Sequence, residues 1–457
     1  MPIALIMSVV VGAGVARNTK YMVALAVVVG GGMLLVHRRG NGWLLAVALA
    51  LGVPYWTTFG AAQIDGERLV LAAACAGLVA GGWRSRPSVV DLAVVGLAVM
   101  DIVSWSASRA DGVPYGLLIA SLIPLALYVV TRVSVSWITI DRLLRVVLLF
   151  STVGALTVLY EYFVAGQVIF AVADPTTSEF SAGAGRLFRP GGVFGGAPTA
   201  SVVLATTLLA SLPLVIRERG KARLICVAAI GVILFAIALT LSRSGWAGLA
   251  AGLPAFLWMA PWRARWWIEL IGLLAILATI AFWVVPSTAT QSAGFQRAVV
   301  RTQNTTGRFQ LWAMTPALVS DSTSHLLFGR GFDVFFSTGR IDPQLAVTPL
   351  VFEGGPHNDY LRALLEEGVV GLLLFAGSTL GAILIGYRRL RALPPRAPER
   401  IVLAALTGSV LCLSASSLTH DFAHAVPVSV ASGIVIGVLV TLAKSQPVAD
   451  VPVAASR

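Results

Sequence analysis

The chain has 457 residues, of which 57% are hydrophobic and only 12% are charged, and its formal net charge is +12. Soluble domains carry about a quarter charged residues, so this composition excludes a soluble globular protein and favours a membrane protein. The basic residues lie in short clusters between apolar runs, which is typical of cytoplasmic loops and argues against a nucleic-acid-binding surface.

Apolar runs that are long enough, or nearly long enough, to cross a bilayer recur along the whole chain. They lie near residues 2–16, 21–36, 43–59, 68–83, 88–104, 113–130, 143–172, 193–216, 223–241, 245–260, 266–286, 368–387, 401–418 and 425–443. The pattern predicts an all-α fold, a polytopic membrane bundle of about 12 to 14 transmembrane helices. The apolar N-terminus is interpreted as a first membrane segment, because it lacks the charged start and cleavage site of a signal peptide.

Charge alternates from loop to loop along the chain, except in the first loop, where Arg17 and Lys20 break the pattern. Cytoplasmic loops are rich in Lys and Arg, so the strongly basic loops and the tail from Lys444 are predicted to face the cytoplasm. These basic loops are at 37–39, 84–86, 132–145, 217–223, 263–265 and 388–400. Four loops then lie on the outer side: 173–192, the turn at Arg243, the long loop from Pro286 to about Glu367, and the turn at His420.

The same pattern divides the chain into five predicted parts. They are N-terminal transmembrane helices (1–172), central transmembrane helices with outer arginine-bearing loops (173–286), a large extracytoplasmic loop (287–367), C-terminal transmembrane helices (368–443) and a cytoplasmic tail (444–457). The large loop is dense in aromatic residues, which indicates a folded cap, and a short helix is predicted over 306–320, limited by Pro316. Long ordered loops are more often functional than passive.

Two arginine-bearing turns lie on the predicted outer side. One contains Arg186 and Arg189 and runs into a glycine-rich stretch at 190–196. Glycines there allow close backbone approach to a ligand, and the arginines could hold an anion. The other is the very tight turn around Arg243. Arginines at membrane boundaries either snorkel to the headgroups or point into the bundle, where they are functional candidates, and the sequence leaves both readings open.

Polar clusters also lie in the large loop and at the last outer turn. Arg308 and Trp312 belong to the predicted short helix, and a glycine turn follows at 328–332. Where the loop re-enters the membrane, His357 precedes Asn358, Asp359 and Tyr360. Histidine is well suited to move protons near neutral pH, whereas Asn and Asp are equally good helix N-caps. His420, at the last outer turn, either lines the part of a site where a second substrate, the acceptor, would bind, or caps a helix.

Together these clusters place several arginines and a histidine on one side of one membrane. Arginines can hold a diphosphate by paired hydrogen bonds without a metal ion, and a nearby histidine could take the proton from an attacking hydroxyl. No carboxylate cluster with metal-ligand spacing lies nearby, and the three cysteines (Cys75, Cys226 and Cys412) lie in apolar stretches without such spacing. We therefore expect neither a metal nor another cofactor.

The order of these motifs over about residues 185–380 resembles the O-antigen ligase and O-antigen polymerase family. His357 to Leu361, followed by Glu367 to Leu372, resembles the H-N-x-x-L and E-x-G-x-x-G-L signature that ends the family's large periplasmic loop. The run 242–245 resembles its S-R-x-G motif, and 307–312 its G-R-x-x-x-W segment. The run 189–198 resembles R-x-x-G-x-F-x-N-P-N but lacks the asparagines, which places the role of Arg189 in question.

The resemblance implies a metal-independent membrane glycosyltransferase of the bacterial plasma membrane, with its active site on the periplasmic side. It implies a glycan donor linked to undecaprenyl diphosphate and a lipid or glycan acceptor, so the expected partners are these substrates and membrane lipids, not nucleic acid. Arg243 and Arg308, with Arg189, are then expected to bind the diphosphate, and His357 to be the catalytic base. Supporting roles are expected for Arg186, Asn358, Asp359, Tyr360, Trp312 and His420.

Other functions also fit a bundle of this kind. A polysaccharide polymerase of the same family would share every motif and differ in its acceptor. A transporter or flippase of lipid-linked glycans is expected to carry charges midway along its spans and an inverted repeat, and the sequence predicts spans free of central charges and shows no repeat. A non-catalytic scaffold of the cell envelope would tolerate replacement of Arg243, Arg308 and His357.

Overall fold

In the computed structural model, the described part of the chain is a helical bundle. The structure describes residues 87–108, 115–167, 169, 179–182, 185–260, 309, 312–313, 315–332, 356–420, 422 and 425–445. Within these residues, seven helices are long and apolar enough to cross a membrane. The predicted all-α, polytopic membrane class is therefore confirmed. The predicted spans before residue 87 and the one at 266–286 lie outside the described residues.

The first half of the described chain forms six long helices and a small hairpin. The helices are α1 (Val89–Ser108), α2 (Tyr115–Ser134), α3 (Ile140–Tyr160), α4 (Ala197–Arg217), α5 (Gly220–Leu239) and α6 (Arg243–Met259). A π-helical turn, Glu161–Ala165, continues α3. Between α3 and α4, β1 (Glu179–Ala182) pairs antiparallel with β2 (Gly185–Phe188), and a 3-10 turn follows at Gly192–Phe194. The sequence did not predict this hairpin.

The second half contributes four helices. They are α7 (Thr323–Phe328), α8 (Asp359–Ala392), α9 (Glu399–Ser417) and α10 (Val426–Lys444). Residues 315–319 are also helical, within the short helix predicted for the large loop. The α8 helix is interrupted at Gly368, whose φ of 72° is left-handed, so its first nine residues form a separate outer segment. The spans predicted between residues 88 and 260 and after 368 each coincide with one of the long helices.

The centre of the bundle is formed by α4, α9 and α10. In these spans more than four-fifths of the residues are buried, against 39% in α1 and 28% in α8. The exposed positions of α1, α5 and α8 include large apolar side chains such as Leu92, Leu224 and Leu373. An apolar surface of this kind suits lipid. The outer helices therefore face the bilayer, while the central ones are enclosed by protein.

Small residues allow the closest helix crossings. A Cβ at Gly433 of α10 would overlap the backbone of Pro124 in α2. On the other side, the backbones of Gly252 in α6 and Gly408 in α9 approach each other directly. Membrane helices associate through such packing, because lipid chains are as apolar as the side chains that they replace.

Several ionisable side chains of the spans are buried between helices. Asp91 of α1 is buried and forms an ion pair with Arg132 of α2 at 3.0 Å, while Tyr128 donates a hydrogen bond of 2.6 Å to the same carboxylate. Further along α1, towards its outer end, Asp101 is buried beside Glu367 of α8. Asp101 and Glu367 both line a cavity of about 150 Å³ between α1, α2, α8, α9 and α10. The burial of these side chains could not be predicted from residue spacing, since it depends on helices that are distant in the sequence.

The helix connections place two sets of loops at opposite ends of the bundle. At one end, Arg145 pairs with Glu218 at 2.6 Å and Arg217 with Asp141 at 2.7 Å. This inner end also holds the 388–400 loop, where Arg400 donates to the carbonyl of Met259. At the other, outer end are the Arg243, His357 and His420 turns. The two groups match those that the charge pattern separates, and the membrane side that each faces stays a prediction, as do the five-part division and its boundaries.

Candidate functional site

The glycine-rich loop after β2 is held by the end of α3. The side chain of Glu161 is fully buried, and its Oε2 accepts the backbone N–H groups of Gly191 at 3.0 Å and Gly192 at 2.7 Å. One turn earlier in α3, Thr157 accepts the N–H of Val193 at 3.1 Å. A Cβ at Gly192 would lie 2.5 Å from the Thr157 hydroxyl, and its φ is 53°, so this position requires glycine.

Arg189 links this loop to the tight turn between α5 and α6. Its Nε donates to the carbonyl of Thr240 at 3.1 Å and its guanidinium also reaches the carbonyl of Leu241 at 3.4 Å. The structure therefore places Arg189 beside the Arg243 turn although the asparagines of the motif are absent. Arg186 lies in β2, where it is paired with Ser181 of β1.

The Arg243 turn is a tightly built entry into α6. Leu241 has a left-handed φ of 53°, and Arg243 is the first residue of the helix, with its side chain exposed. Gly245 packs against α4 so closely that a Cβ would lie 2.8 Å from the Ser201 carbonyl oxygen. The carbonyl of Ser244 accepts the hydroxyl of Ser416, near the end of α9, at 3.0 Å. These contacts fix the backbone that carries Arg243 to two other helices.

His357 faces His420 across the two outer turns. Their Nδ1 atoms are 3.2 Å apart and their ring centroids 5.1 Å apart. One Nδ1 must carry the proton in such a hydrogen bond and the other must accept it. If His357 is the donor, its Nε2 is left as the basic nitrogen. His357 also has a left-handed φ of 49°, which is rare for a non-glycine residue.

The residues after His357 anchor its turn. Asn358 caps α8, since its Oδ1 accepts the N–H groups of Tyr360 at 3.0 Å and Leu361 at 3.2 Å, and its Nδ2 donates to the carbonyl of Leu418. Asp359 accepts the N–H of Phe422 at 2.6 Å. The ring of Tyr360 packs edge-on against Phe375 within α8. Asn358 and Asp359 thus join the His357 and His420 turns, while Tyr360 packs along its own helix.

The large loop reaches the same turn through Trp312. Its indole Nε1 donates to the carbonyl of Pro356 at 2.8 Å, directly before His357, and its ring packs against Phe309. Arg308, four residues before Trp312, lies outside the described residues. The structure therefore brings one end of the predicted short helix to the histidine pair and does not test the role of Arg308.

The glycine turn at 328–332 has a structural role. Arg330 and Gly331 donate backbone N–H groups to the carbonyls of Leu365 and Glu366, at 2.8 and 3.2 Å, where α8 breaks. The Arg330 side chain donates to the carbonyl of Leu318 at 2.6 Å and contacts Asp321. The hydrogen bond from His325, and then the charge of Arg330, hold the pKa of Asp321 below its usual range. This arginine therefore joins parts of the loop to each other and to α8.

All these contacts form one continuous series at the outer end. It runs from Glu161 through the Arg189 loop to the Arg243 turn, crosses to α9 at Ser416, and reaches the histidine pair at His420. Glu161 is the member that sequence reasoning missed, because a single carboxylate in an apolar run gives no sign of the groups that it contacts. Among the described residues, no group of three or more His, Cys, Asp or Glu could hold a metal ion.

Comparison with protein families gives a match that covers part of this site. The O-antigen ligase model matches residues 228–376, a range that includes the Arg243 turn, Trp312 and His357. No curated protein matches the chain. The match confirms the family resemblance seen in the sequence and, with the seven apolar helices, supports a multi-pass membrane protein with a glycosyltransferase-like ligase or polymerase domain. Over residues 228–376, this chain is similar to the O-antigen ligase family.

Proposed function

We propose that this protein transfers a glycan from an undecaprenyl diphosphate carrier to a hydroxyl group of a lipid or glycan acceptor. The reaction takes place at the outer face of the bacterial plasma membrane. The observation that carries the proposal is the series of contacts that joins the Arg189 and Arg243 turns to the His357–His420 pair. An anion-binding part and a proton-accepting part are thereby held at one end of the bundle, as displacement of a diphosphate by a hydroxyl requires.

The arginines act on the leaving group. The acceptor oxygen forms a bond to the anomeric carbon while the bond from that carbon to the diphosphate oxygen breaks, which inverts the configuration. Negative charge then grows on the polyprenyl diphosphate that departs. Arg243, Arg189 and Arg308 stabilise that charge by hydrogen bonds, without a metal ion. The Thr240 and Leu241 carbonyls hold the Arg189 guanidinium in position before substrate binds.

His357 takes the proton of the attacking hydroxyl on Nε2. With its Nδ1 proton donated to His420 Nδ1, the ring keeps Nε2 as its unprotonated nitrogen. When Nε2 gains the proton, His357 becomes an imidazolium and the hydrogen bond to His420 becomes charge-assisted and stronger. His420 therefore orients the base and stabilises its charged form. Asn358 and Asp359 support this pair by binding the backbone of the neighbouring turn.

Replacement of His357 by Ala tests the base. In purified enzyme reconstituted in liposomes, glycan transfer should fall by about 10²- to 10⁴-fold, the usual contribution of a general base, while donor binding is retained. His325→Ala is the matched control, since His325 is a partly exposed histidine of the same large loop that contacts Asp321. Full activity of the His357 variant would show that the base assignment is wrong.

The acceptor decides between ligase and polymerase. The same arginines and histidine serve both reactions, because the donor chemistry is identical. A lipid A–core acceptor makes the enzyme a ligase, and a second lipid-linked glycan makes it a polymerase. Incubating the reconstituted enzyme with each acceptor separately, and sizing the products, distinguishes the two.

A transporter or flippase of lipid-linked glycans is favoured by one observation, the buried carboxylates of Asp101, Glu366 and Glu367 around the cavity. Ionisable groups inside a bundle often mark a transport route. A liposome assay that follows a labelled lipid-linked glycan across the bilayer separates the functions. Flipping that Asp101→Asn abolishes, and that His357→Ala leaves intact, would support transport over transfer.

A further inference from the structure

Glu161 is a buried acidic side chain for which the proposed reaction has no direct use. It lies where α3 changes into a π-helical turn, and none of its surface is exposed. Its Oε2 accepts the N–H groups of Gly191 and Gly192, and its Oε1 accepts that of Ile169 at 3.0 Å. A buried carboxylate is stable only when it is well hydrogen-bonded, and these donors supply those bonds.

The loop that Glu161 binds has little freedom to occupy another position. A Cβ at Gly191 would lie 2.8 Å from backbone atoms of Gly196, so the loop closes on itself there. At Gly192 the backbone lies directly against Thr157 and Val158 of α3. The loop thus lies against the end of α3 with its N–H groups directed at one carboxylate.

The contacts of Glu161 influence the position of the arginines through the backbone. Arg189 is only two residues before Gly191, and its guanidinium contacts the carbonyls of Thr240 and Leu241. Leu241 is two residues before Arg243. A shift of the glycine loop would therefore displace Arg189 and remove a contact that holds the turn before Arg243.

We propose that Glu161 is a positioning residue that fixes Arg189 and Arg243 for the diphosphate of the donor. The inference rests on the proposed function, and Glu161 itself does not touch substrate. Since small displacements of binding groups in an active site reduce the rate by up to about 10²-fold, its replacement should raise the donor KM and lower kcat together.

The test measures binding of a polyprenyl diphosphate and donor KM on the full-length protein in detergent. Glu161→Gln keeps one acceptor oxygen but places an NH₂ group against a backbone donor, so it should weaken binding by about 10-fold, and Glu161→Ala by about 100-fold. Thr157→Val keeps the shape of the side chain and removes the hydroxyl, which accepts from the N–H of Val193 and donates to the carbonyl of Gly154 within α3. It should weaken binding less, and it keeps the test decisive if Glu161→Ala does not fold.

Asp91→Asn is the control for a merely structural role. Asp91 is also a buried carboxylate with several hydrogen bonds, but it lies near the inner end of α1. This variant should lose thermal stability and keep wild-type affinity for the diphosphate. If the Glu161 and Thr157 variants also keep wild-type affinity while Arg243→Ala loses it, the positioning role is wrong and the proposed function stands. If the wild-type protein does not bind the diphosphate, both are wrong.

Discussion

Two groups of arginines, one from each end of the bundle, differ in the contacts that they make. At the inner end, Arg132, Arg145 and Arg217 each contact a carboxylate of another segment. At the outer end, Arg189 donates to backbone carbonyls, and Arg243 is exposed at the start of a helix. Ion pairs neutralise charge and join helices, whereas carbonyls orient a guanidinium without cancelling its charge. Neither kind of contact is confined to one end, since Arg400 at the inner end donates to carbonyls and Arg362 at the outer end pairs with Glu366. What separates Arg189 and Arg243 from the ion-paired arginines is the ligand-binding role that we propose for them.

Backbone strain also differs between the inner and outer ends of the bundle. Among the described residues, Leu241 and His357 are the non-glycine residues with a positive φ, and both lie in outer-end turns. Each such conformation costs about 1–3 kcal/mol and persists only where the surroundings impose it. Here the Arg189 guanidinium and the Asn358 cap supply those surroundings. Strain concentrated beside the candidate base and a candidate anion-binding arginine supports their functional assignment.

Of the three comparisons that follow, the one with the largest expected effect takes one arginine from each end. Arg243→Ala should reduce glycan transfer by about 10²- to 10³-fold, the usual cost of removing one group that stabilises transition-state charge. Arg217→Ala removes a partly exposed ion pair with Asp141 and should leave the rate within about two-fold, since such pairs contribute little. Initial rates at equal amounts of reconstituted protein measure both. Equal losses in the two variants would contradict the ligand-binding role proposed for Arg243.

The next effect concerns the packing that supports Arg243. Gly245→Ala forces a methyl group to within 2.9 Å of three Ser201 atoms, so it should destabilise the protein by about 1–3 kcal/mol and also lower the transfer rate. Gly231→Ala is the matched control, because a Cβ there meets nothing within 4 Å. Thermal unfolding in detergent and initial rates measure both consequences. A Gly245 variant as stable and active as the Gly231 variant would show that this crossing does not position the arginine.

Much of the fold could be predicted from the sequence because hydrocarbon imposes a simple rule on length and composition. The runs predicted near 193–216 and 425–443 became α4 and α10 with ends shifted by only a few residues. Local motifs likewise indicated Arg243 and His357. Each lies in a sharp turn, and a sharp turn requires particular residues close together in the sequence. The pairing of His357 with His420 could not be predicted, because 63 residues separate them and two different helices bring them together.

Glu161 and the acidic cavity were missed for a related reason. A carboxylate in an apolar run looks the same in the sequence whether it faces lipid, a cavity or a loop. Glu161 accepts hydrogen bonds from N–H groups of a loop that is distant in the sequence, since Gly191 lies 30 residues after it. Asp101 likewise meets Glu367 only because α1 packs along α8. Buried charge depends on tertiary contacts, which periodicity and composition do not record.

The smallest expected effect concerns Arg330, an outer-end arginine that contacts a carboxylate, as Arg362 of α8 also does. Its partner Asp321 has a pKa below its usual range, because His325 donates a hydrogen bond to it and Arg330 lies beside it. A lowered pKa in the folded state means that the contact stabilises the loop at neutral pH. That stability is lost as the pH falls through the lowered value.

Asp321→Asn should therefore weaken the hydrogen-exchange protection of residues 315–332 at neutral pH, and the difference from wild type should vanish under acidic conditions. Because the three side chains are partly exposed and lie away from the histidine pair, thermal stability and the transfer rate at neutral pH should change little. Exchange measured by mass spectrometry, with both proteins at each pH, provides the comparison. A large loss of transfer would instead show that the contact between Asp321 and Arg330 supports the candidate site.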